Sequence, residues 1–174
     1  MSRCFYALWP DPATREEISA AAERIPHHGR PVTPSNYHLT LVFLGTISHV
    51  QIADLMQETS RVQACPFSLA LGHAGWWNGP RVLWLAPELC PEPLLQLVTR
   101  LSGLARQQGI RLEERPYRPH LSIARQVRTF PGPDSLEPIC WKISDFCLLR
   151  SKSLKTGVVY EPLASWPLTA AASV

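Results

Sequence analysis

Apolar and polar positions along the chain predict strands and helices in alternation. A short apolar run over 3–9 is typical of a buried strand, and Asp11-Pro12 then opens a helix that extends to about Ile25. A proline-rich loop over 26–36 precedes a strand over 37–44, which we expect Gly45 to end. The remaining predicted elements are a capped helix over 48–63, strands over 66–71 and 81–85 joined by a turn-rich segment over 72–80, an amphipathic helix over 91–108, a strand over 120–124, a loop over 130–138, and strands over 139–149 and 155–160.

This order of elements bounds the fold class. Strands are interleaved with helices, and the helices belong to two separate halves of the chain, which favours an α+β or α/β sandwich over a helical bundle. A chain of 174 residues with 45% apolar content can bury one core or two closely packed lobes. We therefore expect one domain over 1–174.

The charge is small but unevenly placed. The net charge is +3, and 14 of the 17 basic residues are arginine, the side chain suited to bidentate phosphate binding. Between positions 100 and 128 there are seven arginines against two glutamates, Glu113 and Glu114. This excess is consistent with an anionic ligand near the second half of the chain, and equally with a solvated surface.

Cysteine usage and hydropathy indicate the compartment. The five cysteines are widely spaced and include no C-x-x-C pair, which argues against a disulfide scaffold and a structural zinc site. The apolar run at positions 4–9 is far too short for a signal sequence or a membrane span. We expect a cytoplasmic protein that acts as a monomer and does not bind a membrane.

One four-residue pattern occurs twice. His38-Leu39-Thr40-Leu41 and His120-Leu121-Ser122-Ile123 both read histidine, leucine, hydroxyl residue, aliphatic, and they lie 82 residues apart. In a strand, the histidine and the hydroxyl residue project from one face while the leucine projects from the other. Two such strands side by side would present two imidazoles and two hydroxyls to a shared groove.

This set of groups suits the chemistry of a cyclic phosphate. An imidazole titrates near neutrality, so one copy can act as a base toward water while the other protonates the departing ribose oxygen. Thr40 and Ser122 can donate hydrogen bonds to the non-bridging oxygens. A catalytic zinc usually takes three protein ligands, and neither motif has a carboxylate or thiol at ligand spacing, so we expect no metal and no cofactor.

These segments carry a family resemblance. The stretch 36–45 around the first motif, the stretch 118–125 around the second, and the opening Phe5-Tyr6-Ala7-Leu8 resemble the two-histidine (2H) phosphoesterases, and among them the bacterial RNA 2′,3′-cyclic phosphodiesterases, also described as 2′-5′ RNA ligase-like. The resemblance covers nearly the whole chain. It implies a two-lobed, pseudo-symmetric α+β fold with antiparallel-rich sheets around a central cleft and helices outside.

The resemblance also implies an activity and roles for residues. The expected reaction is metal-free hydrolysis of 2′,3′-cyclic phosphate at RNA ends to a 2′-phosphate, with weak reverse 2′-5′ ligation of tRNA halves. His38 and His120 are then the acid/base pair, with His38 as the proton donor and His120 as the proton acceptor. Thr40 and Ser122 bind phosphate, and Ser122 stands where relatives often have threonine.

Two further positions are candidates for substrate binding. Phe43 and Arg125 each follow their motif histidine by five residues and could hold a nucleobase between a ring and a guanidinium. Odd spacing in a regular strand sends both to the face away from the histidines, so each strand must end, twist or bulge first. Core packing is an equal alternative for Phe43.

The other histidines fit structural roles better. Only His73 has a functional alternative: it lies near Trp76 and Trp77 in a segment that either borders the cleft or closes an edge of the fold. Two other functions stay open: an RNA-end binding module without turnover, and a phosphodiesterase acting on small cyclic nucleotides.

Overall fold

The computed structural model describes residues 1–132, 136–155 and 157–169. Positions 133–135 of the loop predicted over 130–138, position 156 of the strand predicted over 155–160, and the last five positions lie outside these ranges. The described residues form three α-helices, α1 Pro12–Arg24, α2 His49–Thr59 and α3 Glu92–Gln107, and nine strands, β1 Ser2–Leu8, β2 Arg30–Pro31, β3 Leu39–Ile47, β4 Phe67–Trp77, β5 Val82–Pro87, β6 Leu121–Arg125, β7 Ile139–Ile143, β8 Asp145–Leu154 and β9 Gly157–Pro167.

All these strands join one curled antiparallel sheet. Its order is β7-β4-β5-β6-β3-β1-β8-β9, and the short β2 adds to β6. Helix α1 packs against β7, and α3 packs against β3 and α2. The α+β class with an antiparallel sheet and helices on its outer side, predicted from the sequence, is confirmed.

The two halves of the sheet repeat one unit. In β1–α1–β3 and again in β5–α3–β6, a helix links two antiparallel strands, and the second strand follows a motif histidine. These second strands, β3 and β6, are neighbours at the centre of the sheet. The repeat therefore brings both motifs to the middle of the molecule.

The helix starts follow their predicted capping signals. The Asp11 side chain accepts a hydrogen bond from the Thr14 backbone N–H at 3.0 Å, with proline at the first helical position. Ser48 and Gln51 form a reciprocal capping box at the start of α2. Helix α3 buries one stripe against the sheet, consisting of Leu94, Leu97, Leu101 and Ala105.

Strand β1 separates two apolar clusters. Cys4, Tyr6 and Leu8 point into the main core beneath the helices, whereas Phe5 and Ala7 belong to a second, smaller cluster with Cys147 and Leu149 of β8. The alternation follows from the two-residue period of a strand. The smaller cluster includes Phe5, which lies against His38.

Strand β9 continues to Pro167, beyond its predicted end at 160, and strand ends differ from the sequence predictions in three further places. Strand β3 runs through Gly45, whose φ of 70° serves a bulge rather than a turn, because Leu44 is an extra residue opposite β1. The segment predicted over 139–149 is two strands, since β7 pairs with β4 and β8 pairs with β1 at separate places in the sheet.

Within the described residues, no helix is long and apolar enough to cross a membrane.

The third difference bears on the site. The segment over 72–80, predicted to be a turn, is strand as far as Trp77, and only its last residues turn. The glycines of this segment suggested a turn, but Gly75 is a strand residue that makes room for a neighbouring side chain. A Cβ there would collide with the indole ring of Trp84 across the strand pair. His73 and Trp77 accordingly sit on β4, which is separated from the central strand β6 by β5, and not in a loop.

Candidate functional site

One cross-strand pair organises the two motifs. Leu39 of β3 is paired with Leu121 of β6, and both leucines are fully buried. In an antiparallel register with 39 opposite 121, position 38 lies opposite 122 and position 40 opposite 120. Each motif histidine therefore faces the hydroxyl residue of the other motif, and a local two-fold axis passes through the leucine pair.

Both imidazoles are held by the same hydrogen bond. Nδ1 of His38 lies 2.7 Å from the carbonyl oxygen of Asn36, and Nδ1 of His120 lies 2.8 Å from that of Arg118. A carbonyl only accepts, so Nδ1 carries the proton in each ring and Nε2 is left for the substrate. Two rings with this tautomer suit an acid/base pair, because each Nε2 can accept a proton and, once protonated, donate it.

Aromatic rings surround each imidazole. Tyr160 packs edge-on against His38 with ring centroids 4.7 Å apart, and the ring of Phe5 lies 5.0 Å away. On the other side, Trp77 packs edge-on against His120 at 4.5 Å. These contacts fix the rings and exclude water from their faces.

This enclosure changes the acidity of both histidines. Burial lowers the pKa of His38 to about 4, and the hydrogen bond to Asn36 only partly opposes it. Burial also lowers the pKa of His120. The Arg125 guanidinium lowers both values further, and the charge of His120 lowers the pKa of His38, as expected when these groups lie close together. In the unliganded protein both rings are neutral at pH 7.

Matching bulges settle where Phe43 and Arg125 point. Leu41 of β3 is an extra residue between the positions paired with Tyr6 and Ala7, and Ile123 of β6 is extra in the same way opposite β5. Each bulge stands three residues after its histidine, and each bulged side chain is buried. The parity of the strand is thereby reversed, so that Phe43 and Arg125 project from the face that carries the hydroxyl residues. This is the irregularity that their odd spacing requires.

The hydroxyl residues are partly buried and well placed. Thr40 and Ser122 stand opposite the histidines in the register, and the hydroxyl of Tyr117 donates a hydrogen bond to the Thr40 carbonyl oxygen at 3.1 Å. Tyr117 thus ties the loop before the second motif to the strand of the first. The Thr40 side chain stays available to a ligand.

The structure adds aromatic and basic residues that sequence reasoning missed or left undecided. Trp77 borders the site rather than only closing an edge, and Tyr160 reaches His38 from the far end of the chain. Arg3 lies over the ring of Phe43, with its guanidinium carbon 4.8 Å from the ring centroid. No local pattern marks Tyr160, because β9 joins the sheet by pairing with β8, and β8 pairs with the distant β1. Nor does one mark Arg3, because its contact with Phe43 depends on the pairing of β1 with β3. Over residues 1–132, 136–155 and 157–169, no cluster of three or more histidine, cysteine or acidic side chains could hold a metal ion.

Comparison with known proteins supplies the family. A family model described as LigT-like phosphoesterase matches residues 8–84, which include the first motif. The RNA 2′,3′-cyclic phosphodiesterase of Escherichia coli (strain K12) is 33% identical over 174 residues, covering 96% of this chain and 97% of that protein. The protein of the same name from Thermus thermophilus is 29% identical, covering 95% of this chain and 90% of its own.

A solved structure agrees with the sequence comparison. The crystal structure of E. coli LigT complexed with 3′-AMP superimposes with a TM-score of 0.87 and 33% identity, covering 97% of this chain and 99% of that chain. Identity of one third over nearly the full length, together with this shared architecture, shows that the chain belongs to the LigT-like family of two-histidine phosphoesterases.

Proposed function

We propose that this protein hydrolyses 2′,3′-cyclic phosphate at RNA ends to a 2′-phosphate, using His38 and His120 and no metal. The observation that carries the proposal is the Leu39–Leu121 pair, which sets both motif histidines and both hydroxyl residues around one local axis. Relatives named RNA 2′,3′-cyclic phosphodiesterase align over nearly the whole chain and support the choice of substrate.

The reaction needs one proton taken and one given. The base accepts a proton from water as the water oxygen attacks phosphorus, the bond from phosphorus to O3′ breaks, and the acid protonates O3′. The products are a 2′-phosphate and a free 3′-hydroxyl. The Thr40 and Ser122 hydroxyls donate hydrogen bonds to the non-bridging oxygens, where negative charge increases in the transition state.

For the two histidines we propose His38 as the acid and His120 as the base, the order implied by the family resemblance. A pKa of about 4 in the unliganded protein would by itself suit a base, so this order requires that substrate binding raise the pKa of His38 and that the ring take up a proton from solvent. A phosphate anion bound beside a buried imidazole favours the charged ring strongly. The negative charge of the substrate thus offsets the effect of burial on the pKa of His38.

Phe43 and Arg125 are proposed to hold the terminal nucleobase. Both project from the face that carries the hydroxyl residues, and Phe43 is 37% exposed, enough to offer a ring face. Arg3 covers part of that ring, so a base that stacks there would lie against the remaining face or displace Arg3.

We also propose weak 2′-5′ ligation, in which the 5′-hydroxyl of a second RNA, such as a tRNA half, replaces water as the nucleophile at the same site.

The test is product analysis with EDTA present. The purified protein is incubated with a cyclic-ended oligonucleotide and with a 2′,3′-cyclic mononucleotide, and the product phosphate is located by NMR. We expect a 2′-phosphate and undiminished rates in EDTA. A 3′-phosphate product would contradict the leaving group, abolition by EDTA would contradict the metal-free mechanism, and tight binding without turnover would favour an RNA-end binding module.

A further inference from the structure

A cavity of about 680 Å³ opens from the site and extends well beyond the motif residues. It shares Thr40, Phe43 and His120 with the site, and it extends away to Trp76, Arg106 and Arg115. Pockets of this size hold whole small ligands, so the cavity has room beyond a cyclic phosphate and its ribose. Its far wall is built by α3 and the loop before the second motif.

The walls of this cavity combine ring faces with cations. Beyond Phe43, which is assigned to the terminal base, Trp76 and Trp77 contribute aromatic surface, and Arg106, Arg115 and Arg118 contribute guanidinium groups. The lining includes one carboxylate, Glu113, which is paired with Arg115 at 2.6 Å. Aromatic faces bind nucleobases of any sequence, and arginines bind the phosphates between them.

We propose that the cavity binds the nucleotide immediately 5′ of the one that carries the cyclic phosphate. This inference rests on the proposed function, because it extends the same substrate away from its reacting end. The aromatic wall would take the upstream base, and the arginine side would take the phosphodiester that joins the two nucleotides. The protein then prefers an RNA end to a free cyclic mononucleotide, and Arg106 and Arg115 determine that specificity.

The experiment compares two substrates across matched variants. The ratio of kcat/KM for a cyclic-ended dinucleotide to that for the cyclic mononucleotide is measured for the native protein, Arg106→Ala, Arg115→Ala and the control Arg111→Ala. We expect a native ratio of at least about tenfold, the scale that an arginine hydrogen bond to a charged phosphodiester gives. Both cavity variants should bring the ratio toward one, whereas Arg111, which is exposed and does not line the cavity, should leave it unchanged.

Binding gives a readout that does not depend on turnover. Calorimetry with a dinucleotide and a mononucleotide, each ending in a 2′-phosphate, should show tighter binding of the dinucleotide and loss of that advantage in Arg106→Ala. Equal affinities, or an advantage that survives both cavity substitutions in protein with unchanged thermal unfolding, would overturn the subsite. Failure of the proposed function looks different, because neither cyclic substrate would then be hydrolysed.

Discussion

Asn36 holds His38 in place through its own backbone, since the Asn36 carbonyl oxygen lies 2.7 Å from Nδ1 of His38. The side-chain amide of the same residue donates a hydrogen bond to the Val158 carbonyl oxygen of β9 at 2.8 Å. Strand β9 also supplies Tyr160, which packs edge-on against the imidazole. The first histidine is thus fixed by a strand more than 100 positions later in the chain. Burial lowers its pKa below that of a free imidazole, and the hydrogen bond to Asn36 partly opposes this effect.

The two hydroxyl residues should contribute to the transition state to similar extents. We expect Thr40→Val and Ser122→Ala each to lower kcat by about 10²-fold, the scale for loss of one hydrogen-bond donor to a developing oxyanion. KM should change little, because the donors act mainly on charge that develops during reaction. Steady-state kinetics on a cyclic-ended oligonucleotide measures this. Thr40→Ser, which keeps the hydroxyl, is the control, and loss of activity there as large as in Thr40→Val would argue against a hydrogen-bonding role.

The half-buried position of His38 makes stability depend on pH. Its pKa is about 4 in the folded protein against about 6.5 for an unperturbed histidine, so between these values the unfolded chain binds more protons. The free energy of unfolding should therefore fall as pH falls from 6.5 to 4, with His38 accounting for up to about 3 kcal/mol. Urea unfolding at pH 7 and pH 4.5 measures the difference. His38→Gln should reduce this difference in the free energy of unfolding, and His28→Gln, at an exposed position, should not. An equal difference between the two pH values in both variants would contradict the assignment.

Ligand binding should protonate His38 if it is the acid. NMR titration of the imidazole resonances should show the pKa of His38 rising by at least one unit when a mononucleotide 2′-phosphate is bound, because the anion favours the charged ring. A smaller rise is expected for His120. If His120 gains the proton and His38 does not, the roles of acid and base are reversed.

Substitutions of two core residues that share a buried hydrogen bond, Tyr6 and Thr59, should have non-additive effects on the free energy of unfolding. The hydroxyls of Tyr6 and Thr59 lie 2.6 Å apart, and both residues are fully buried. Tyr6→Phe or Thr59→Val alone leaves one hydroxyl without its partner and should cost about 1–3 kcal/mol. The double variant should cost less than the sum of the two, as measured by urea unfolding. Strict additivity would mean that the two hydroxyls do not interact.

The local features of this fold were predictable and the long-range ones were not. Capping residues marked the starts of α1 and α2, and strand periodicity placed Thr40 and Ser122 beside the histidines. The bulges at Leu41 and Ile123 leave no sequence signal, since each bulged residue is an ordinary buried aliphatic. Only the odd spacing of Phe43 and Arg125 from the histidines indicated that each strand had to end, twist or bulge before these residues could reach the site.

Glycine positions explain two of the errors in strand ends. Gly45 and Gly75 have turn-like composition around them, yet one accommodates a bulge and the other the indole of Trp84. The contribution of Tyr160 depends on β9 pairing with β8 and β8 with β1, which no window of local sequence contains. Contacts of this kind follow from the topology of the sheet.

The central claim is that His38 and His120 act as one acid/base pair, and a double-mutant comparison tests it most directly. The value of kcat on a cyclic-ended oligonucleotide is measured for His38→Ala, His120→Ala and the double variant, each checked for native thermal unfolding. The account predicts that each single variant loses about 10³-fold or more and that the double variant loses little beyond either, because the two groups serve a single step. A single variant that retains most of its activity, or losses that multiply fully in the double variant, would contradict it.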